Sequence, residues 1–268
     1  MSRWTSWKGK EGALAEITSL RQGAWLVEAD LGDFRVRGAV VAGAERAVIW
    51  DTLARPRDMA GVAELVPDLP ISVVYSHGDW DHVWGTVGIS THPDEIVAHS
   101  ACLERFLGEL PSTLEERRKA GPEEYRDVTL VAPTRTFRTG LTLELGGVTL
   151  ELHHLPGHTR DTVVGFIPEW GIFLAGDAVE TPFPFLNPGN PIEPWAKGLE
   201  GWSERLGATE APWTVVPSHG SVGGPELLLE NARYLRALLA GRLPSIPLDL
   251  TRFYRETHAA NQALARRA

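Results

Sequence analysis

At 268 residues the chain is long enough to bury a substantial core, and its 43% hydrophobic and 23% charged residues are an ordinary globular balance. A formal charge of -9 disfavours attraction to phosphate backbones, so nucleic acid is not an expected partner. The lone cysteine, Cys102, excludes an internal disulfide and any cysteine-rich zinc module.

The N-terminal stretch MSRWTSWKGKEGALAEI has no continuous apolar core, and no later run approaches the ~20 residues that span a bilayer. A cytoplasmic protein without membrane contact is therefore expected. Neither repeats nor long linkers appear, so one domain over 1–268 is expected too. Strand-like runs follow in order: GAWLVEADL, FRVRGAVVAG, RAVIWD, ISVVYS, EIVAHS, LTLELGGVTLELHHL, TVVGFIPE, GIFLAGD and WTVVPSH. LTLELGGVTLEL alternates apolar and polar about a Gly-Gly pair and reads as a hairpin. AVIW, GIFLA and WTVV are apolar throughout, as strands buried on both faces are. Helical patterns fall near 57–66, 101–109, 113–120, 197–206, 225–241 and 252–266. Hairpins mixed with helical crossovers predict a layered α/β architecture with mixed sheets.

Four apolar strands end in an Asp or His: Asp51 after VIW, His77 after VVYS, Asp177 after FLAG and His219 after VVPS. Strand ends along one edge are where such folds build sites. The second of these continues as SHGDWDHVWG, which places His77, Asp79, Asp81 and His82 within six residues. Residues two apart can point the same way, so His77 and Asp79 could grip one ion while Asp81 and His82 reach a second. Imidazole with carboxylate suits zinc, manganese or iron rather than calcium.

LPGHTRDT adds His158 in a Pro-Gly turn after the hairpin, and FLAGDAV and VVPSHGS add Asp177 and His219. From Asp51 to His219 this ordered set resembles the metallo-β-lactamase superfamily, with its H-x-H-x-D-H, Gly-His, Gly-Asp and late His. The resemblance implies an αββα four-layer sandwich of two mixed β-sheets flanked by helices, with a dinuclear site at one sheet edge. Carried over, His77, Asp79 and His158 hold the first ion, Asp81, His82 and His219 the second, and Asp177 bridges them. Asp51 supports the site from behind the ligands. Asp79 departs from the pattern, standing where most members have His. Its shorter anionic side chain favours harder ions, so the expected cofactors are two divalent ions, zinc first, with iron or manganese as alternatives.

The resemblance further implies a metal-dependent hydrolase in which a metal-bridged hydroxide attacks a small ester, thioester or lactone, with Asp81 orienting it and accepting its proton. Two other readings stand beside it: an iron-dependent redox enzyme of the same fold, sulfur dioxygenase-like, and a binding protein with a residual site. The proline-rich segment 181–195 leaves from Asp177, so Phe183, Phe185 and Trp195 are candidate pocket residues for a small-molecule substrate. One of Trp80 and Trp84 is expected to line the cleft and the other to pack beneath it. His153, His154 and His99 read as structural, with Ser100 capping the next helix, His92 and His258 as surface residues, and Cys102 as a buried small side chain.

Overall fold

The computed structural model describes residues 15–266 apart from 91, 210, 211, 243 and 245. The N-terminal stretch read above for an apolar core therefore lies almost wholly outside the described residues. The first sheet runs in chain order: β1 (Glu16–Arg21), β2 (Ala24–Asp30), β3 (Arg35–Ala42), β4 (Ala47–Trp50), β5 (Ile71–Val74), β6 (Glu95–His99) and β7 (Arg135–Phe137). The first four strands pair antiparallel, and β4 to β7 pair parallel. The second sheet orders β12 (Thr214–His219), β11 (Ile172–Glu180), β10 (Val163–Ile167), β9 (Thr149–His154) and β8 (Gly140–Glu144), with β11 and β12 its parallel pair. Both sheets are mixed, as expected.

The β8–β9 hairpin turns at Gly146 and Gly147, with φ of 85° and 79°. Those angles suit a two-residue turn that only glycine adopts without strain. Helices cover the outer faces. On the first sheet lie α1 (Trp80–Val83), α2 (Ser100–Leu107) and α3 (Leu110–Ala120). On the second lie α4 (Ile192–Gly207), α5 (Glu226–Leu239) and α6 (Arg252–Ala265).

Three apolar layers hold this together. Trp50, Val74, Leu150, Leu152, Leu174 and Val216 belong to the layer between the sheets. Phe106, Leu110 and Leu114 pack with the outer face of the first sheet, and Leu199, Leu228 and Leu235 with that of the second. Each such side chain contributes about 1.5–3 kcal/mol on burial. The architecture is the four-layer αββα sandwich.

Differences from the sequence reading are local. The pattern at 57–66 forms two short 3-10 turns, Pro56–Met59 and Val62–Leu65, rather than one helix. Pro56 opens the first, and Gly61 at φ 79° separates them. Strands β1 and β7 were not foreseen: β1 is mostly exposed and β7 has three residues, so neither leaves a clear apolar pattern. The cap of α2 is not Ser100 but His99, whose Nδ1 accepts the Ala101 N–H at 3.2 Å.

Candidate metal centre

The C-terminal ends of β4, β5 and β12 open onto one edge of the sandwich, and the bent part of β11 joins them. After β5 the chain passes Ser76 and His77, then turns into the four-residue helix α1, which carries Asp81 and His82. Asp177 lies inside β11 rather than at its end. The pairing of β11 with β12 is irregular on both sides of Gly176, which sits at φ 53°. This bulge turns Asp177 out of the ladder and toward the edge. His219 is the last residue of β12, and His158 stands in the turn between β9 and β10.

These residues converge. Ligand-capable atoms of His77, His158 and Asp177 lie within 4.8 Å of one another, as do those of Asp81, His82 and His219. Asp177 Oδ2 joins the two groups: it is 3.7 Å from His77 Nε2, 3.5 Å from His158 Nε2, 3.4 Å from His82 Nε2 and 3.3 Å from His219 Nε2. Asp79 reaches the first group, with Oδ2 at 3.2 Å from His158 Nε2 and 3.5 Å from His77 Nε2. Asp81 reaches the second, with Oδ2 at 3.5 Å from His219 Nε2.

The four imidazoles are aimed by what holds their other nitrogen. His82 Nδ1–H donates to Asp51 Oδ2 at 2.9 Å, His219 Nδ1–H to the Arg35 carbonyl at 2.7 Å, and His158 Nδ1–H to the Phe185 carbonyl at 3.2 Å. His77 Nδ1–H donates to Ser76 Oγ at 3.0 Å, and that hydroxyl donates to Asp51 Oδ2 at 2.7 Å. Every ring therefore presents Nε2 to the shared space. Asp51, 1% exposed, supports two of the four rings in this way. It does so from a left-handed backbone conformation, φ 58°, which costs a non-glycine residue energy and marks a constrained position.

Charge tells the same story. Burial opposes a charged His158, but its hydrogen bond to Asp79 and the nearby Asp177, Asp79 and Glu180 raise it to about 10. His219 rises to about 9 against its burial, through Asp177 and Asp81, and His82 rises well above its ordinary value beside Asp177, Asp81 and Asp51. Burial would raise Asp177, yet His219 and His82 hold it well below the usual carboxylate range. The cluster of carboxylates thus demands positive charge. Buried Nε2 atoms of His77 and His82 and Oδ1 of Asp177 have no hydrogen-bond partner, although buried polar groups are normally satisfied. Imidazole nitrogens and carboxylate oxygens left open toward one space are the donor set of two divalent cations, and the residues fit that group.

Sequence reasoning missed the partners of Asp79. Its Oδ1 accepts from Arg105 Nη2 at 2.5 Å, and Arg105 Nη1 also donates to Asp161 Oδ1 at 3.1 Å. Asp161, fully buried, accepts the Gly78 N–H on its other oxygen at 2.7 Å. Burial would raise Asp79, but His77, Arg105 and His158 hold it well below the carboxylate range. Nothing in the spacing of α2 announces Arg105, whereas Asp161 stands three residues after His158 in the quoted motif. Glu180, three residues after Asp177, was missed as well. Burial and the charge of Asp177 raise it to about 7.

Beside the centre lies a cleft of about 740 Å³. Half-buried Phe34, Trp80, Phe185, Phe253 and Tyr254 line it, with Arg117 stacked 3.8 Å over the Trp80 ring. Trp84 belongs to the lining as well, although it is fully buried, so the two tryptophans differ in depth rather than in which of them reaches the cleft. Two of the three pocket candidates line the cleft. Phe185 is half-buried against it, and Phe183 lines it too, though it is only 2% exposed and stacks on Tyr234, 5.0 Å between ring centres. Trp195, expected at the pocket wall, is instead fully buried behind His158, its Nε1–H donating to the Ala178 carbonyl at 2.9 Å. It sits in α4, whose apolar face must pack on the second sheet. His258 is half-buried rather than on the surface, bonded to Tyr234 at 2.9 Å. His99 and His154 stack on each other 3.8 Å apart, His153 pairs with Glu151 at 2.9 Å, His92 is exposed and Cys102 is fully buried.

Comparison with known proteins agrees with this geometry. The family model described as metallo-beta-lactamase superfamily matches residues 32–237. The metallo-beta-lactamase type 2 of Bacillus sp. (strain 170) is 26% identical over 243 residues, 85% of each chain. Among solved structures, a metallo-beta-lactamase from Pontibacter korlensis superposes with a TM-score of 0.64 at 21% identity, over 83% of this chain and 99% of that one. The FIM-1 metallo-beta-lactamase from Pseudomonas aeruginosa, in a mono-zinc form, gives 0.62 at 18% identity, over 85% and 97%. With the match running from β3 to β12 and over every candidate ligand position, this chain belongs to the metallo-β-lactamase superfamily.

Proposed function

We propose that the protein is a two-metal hydrolase that cleaves the acyl bond of a small, partly apolar ester, thioester or lactone. The observation that carries this reading is the pair of buried triads joined by one oxygen of Asp177 at the foot of an aromatic-lined cleft. His77, Asp79 and His158 would hold one ion, Asp81, His82 and His219 the other, and Asp177 both. Zinc is the first candidate: four imidazoles suit it, and one structural neighbour is a mono-zinc form. Iron and manganese follow, because Asp79 adds an anionic oxygen where an imidazole would be neutral.

When bound, such ions lower the pKa of water toward ~7 and polarise the substrate oxygen. The chain's own part is positioning and proton handling. Asp81, 6% exposed and lining the cleft, would orient the attacking water and take its proton. Asp51, Ser76, Arg35 and Phe185 keep the four rings in one tautomer, so no reorganisation accompanies the reaction. Phe34, Trp80, Phe185 and Phe253 present apolar surface that draws the substrate out of water and excludes bulk solvent.

A β-lactam amide is the second reading, supported by the name of the Bacillus relative at 26% identity. Metal analysis of protein purified without added metal, with a panel of ester, thioester, lactone, β-lactam and phosphodiester substrates, tests both. Turnover of an acyl substrate, abolished by chelation and restored by zinc, is expected. Iron content with oxygen consumption would favour the redox alternative, and neither metal nor turnover would favour a binding protein.

A further inference from the structure

Helix α6 lies outside the 32–237 span of the family match, yet a chain of hydrogen bonds runs from it to the first triad. Its Asn261 is fully buried. Asn261 Oδ1 accepts the Leu186 N–H at 3.0 Å, while Nδ2 donates to the Pro184 carbonyl at 2.7 Å and to the Tyr234 hydroxyl at 3.1 Å. One amide thus grips the backbone on both sides of Phe185. Between Thr181, whose N–H donates to the His219 carbonyl of β12, and Pro191, whose carbonyl accepts from α4, residues 182–190 lie outside strand and helix, so this grip stands in for the ladder that would otherwise fix their peptide planes. The Phe185 carbonyl between the two grips accepts His158 Nδ1–H at 3.2 Å, and the Phe185 N–H donates to Glu180 Oε1 at 2.9 Å. Asn190 Nδ2 ties the same loop to the His158 carbonyl at 2.8 Å, but that bond holds the His158 backbone and not its ring.

We infer that Asn261 is a positioning residue for the first metal site: by clamping Pro184 and Leu186 it holds the one carbonyl that fixes the tautomer and angle of the His158 ring. The inference rests on the reading that His77, His158 and Asp177 hold an ion. It makes the C-terminal helix part of the centre's scaffold, two hydrogen bonds removed from the His158 ring. Loss of an acceptor behind a ligating imidazole typically costs about 10–100-fold in metal affinity.

The test is zinc binding by the full chain, measured by chelator competition for each equivalent and by the visible spectrum of the cobalt-substituted protein. Asn261→Ala leaves that acceptor present but unclamped, so it should weaken one zinc equivalent by about 10-fold, the low end of that range, leave the other unchanged and alter the cobalt bands. Tyr234→Phe removes a buried partner of α6 without touching the loop, so it should lower the melting temperature while both affinities stay at wild type. If Asn261→Ala does not fold, Asn261→Asp keeps the volume and the Leu186 contact but loses the donation to Pro184, and should show the same selective weakening to a smaller degree. Unchanged affinities in the Asn261 variants, or equal loss of both equivalents, overturn the inference alone. A wild-type protein that takes fewer than two equivalents, or a His77→Ala variant that keeps both, overturns the site reading and the inference with it.

Discussion

Asp79 sends its two oxygens to different partners, and that division is the central fact at the residue scale. Oδ2 faces His77 and His158, and Oδ1 is tied to Arg105, so the carboxylate offers the first site a single oxygen. The guanidinium offsets the negative charge that Asp79 brings to the first site. Asp79→Ala should lose one metal equivalent and most activity, whereas Asp79→His should keep both and shift preference toward zinc; retention of both ions by the Ala variant would show that Asp79 is not a ligand. Arg105 matters to the fold as well. Its side chain is 12% exposed, and Asp161 behind it is fully buried. Arg105→Met strands that carboxylate, and breaking such a pair costs about 3–5 kcal/mol. Urea unfolding of the ion-free variant measures this, and a loss under about 1 kcal/mol would mean Asp161 is satisfied by Gly78 and solvent alone.

Elements were legible in proportion to the apolar pattern they carry. AVIW, ISVV and IFLA announced buried strands, and the Gly-Gly hairpin announced its own turn, because burial on one or both faces writes a period into the sequence. Strand β1, exposed along most of its length, writes none. His77, Asp177 and His219 were readable since each follows an apolar run, and Asp79, Asp81, His82 and His158 through the motifs they complete, but their supports were not. Arg105, Asn261 and Phe34 reach the centre from α2, α6 and the β2–β3 turn, through contacts that only the assembled layers create. The loop after β11 shows the same limit: its prolines marked a stiff connector, while how deeply each phenylalanine is buried depended on Tyr234 of α5. Phe183 stacks on that ring, so Phe183→Ala should cost about 3–5 kcal/mol of stability by opening a cavity. Phe185→Ala should leave stability within about 1 kcal/mol and raise KM for apolar substrates, since its backbone carbonyl, not its ring, holds His158. Matching thermal stability of the two variants would show that Phe183 is not a core residue.

At the scale of the whole molecule, the centre couples metal binding, protonation and folding. Without ions the folded chain holds protons on His158 up to about 10 and on His219 up to about 9, with His82 raised in the same direction. Unfolded imidazoles release theirs near ~6.5. Between these values the native state binds more protons than the unfolded state, so stability falls as pH rises. The contribution of these rings is complete below about pH 6.5 and lost through pH 9 to 10. Glu180, raised to about 7, acts in the same direction at lower pH. Asp79 and Asp177, held below the usual range, act oppositely, and their contribution disappears only in acid. The chelated protein should therefore lose urea resistance steadily from pH 6.5 to 10. Zinc must displace the protons on Nε2, so loading at pH 7 should release them from His82, His158 and His219, and the loaded protein should keep its stability across the same range. Calorimetric titration with zinc in buffers of different ionisation enthalpy counts those protons. Release of none, together with a flat pH profile for the chelated protein, would mean that the rings are already neutral in the ion-free fold and that the carboxylates draw their positive charge from elsewhere.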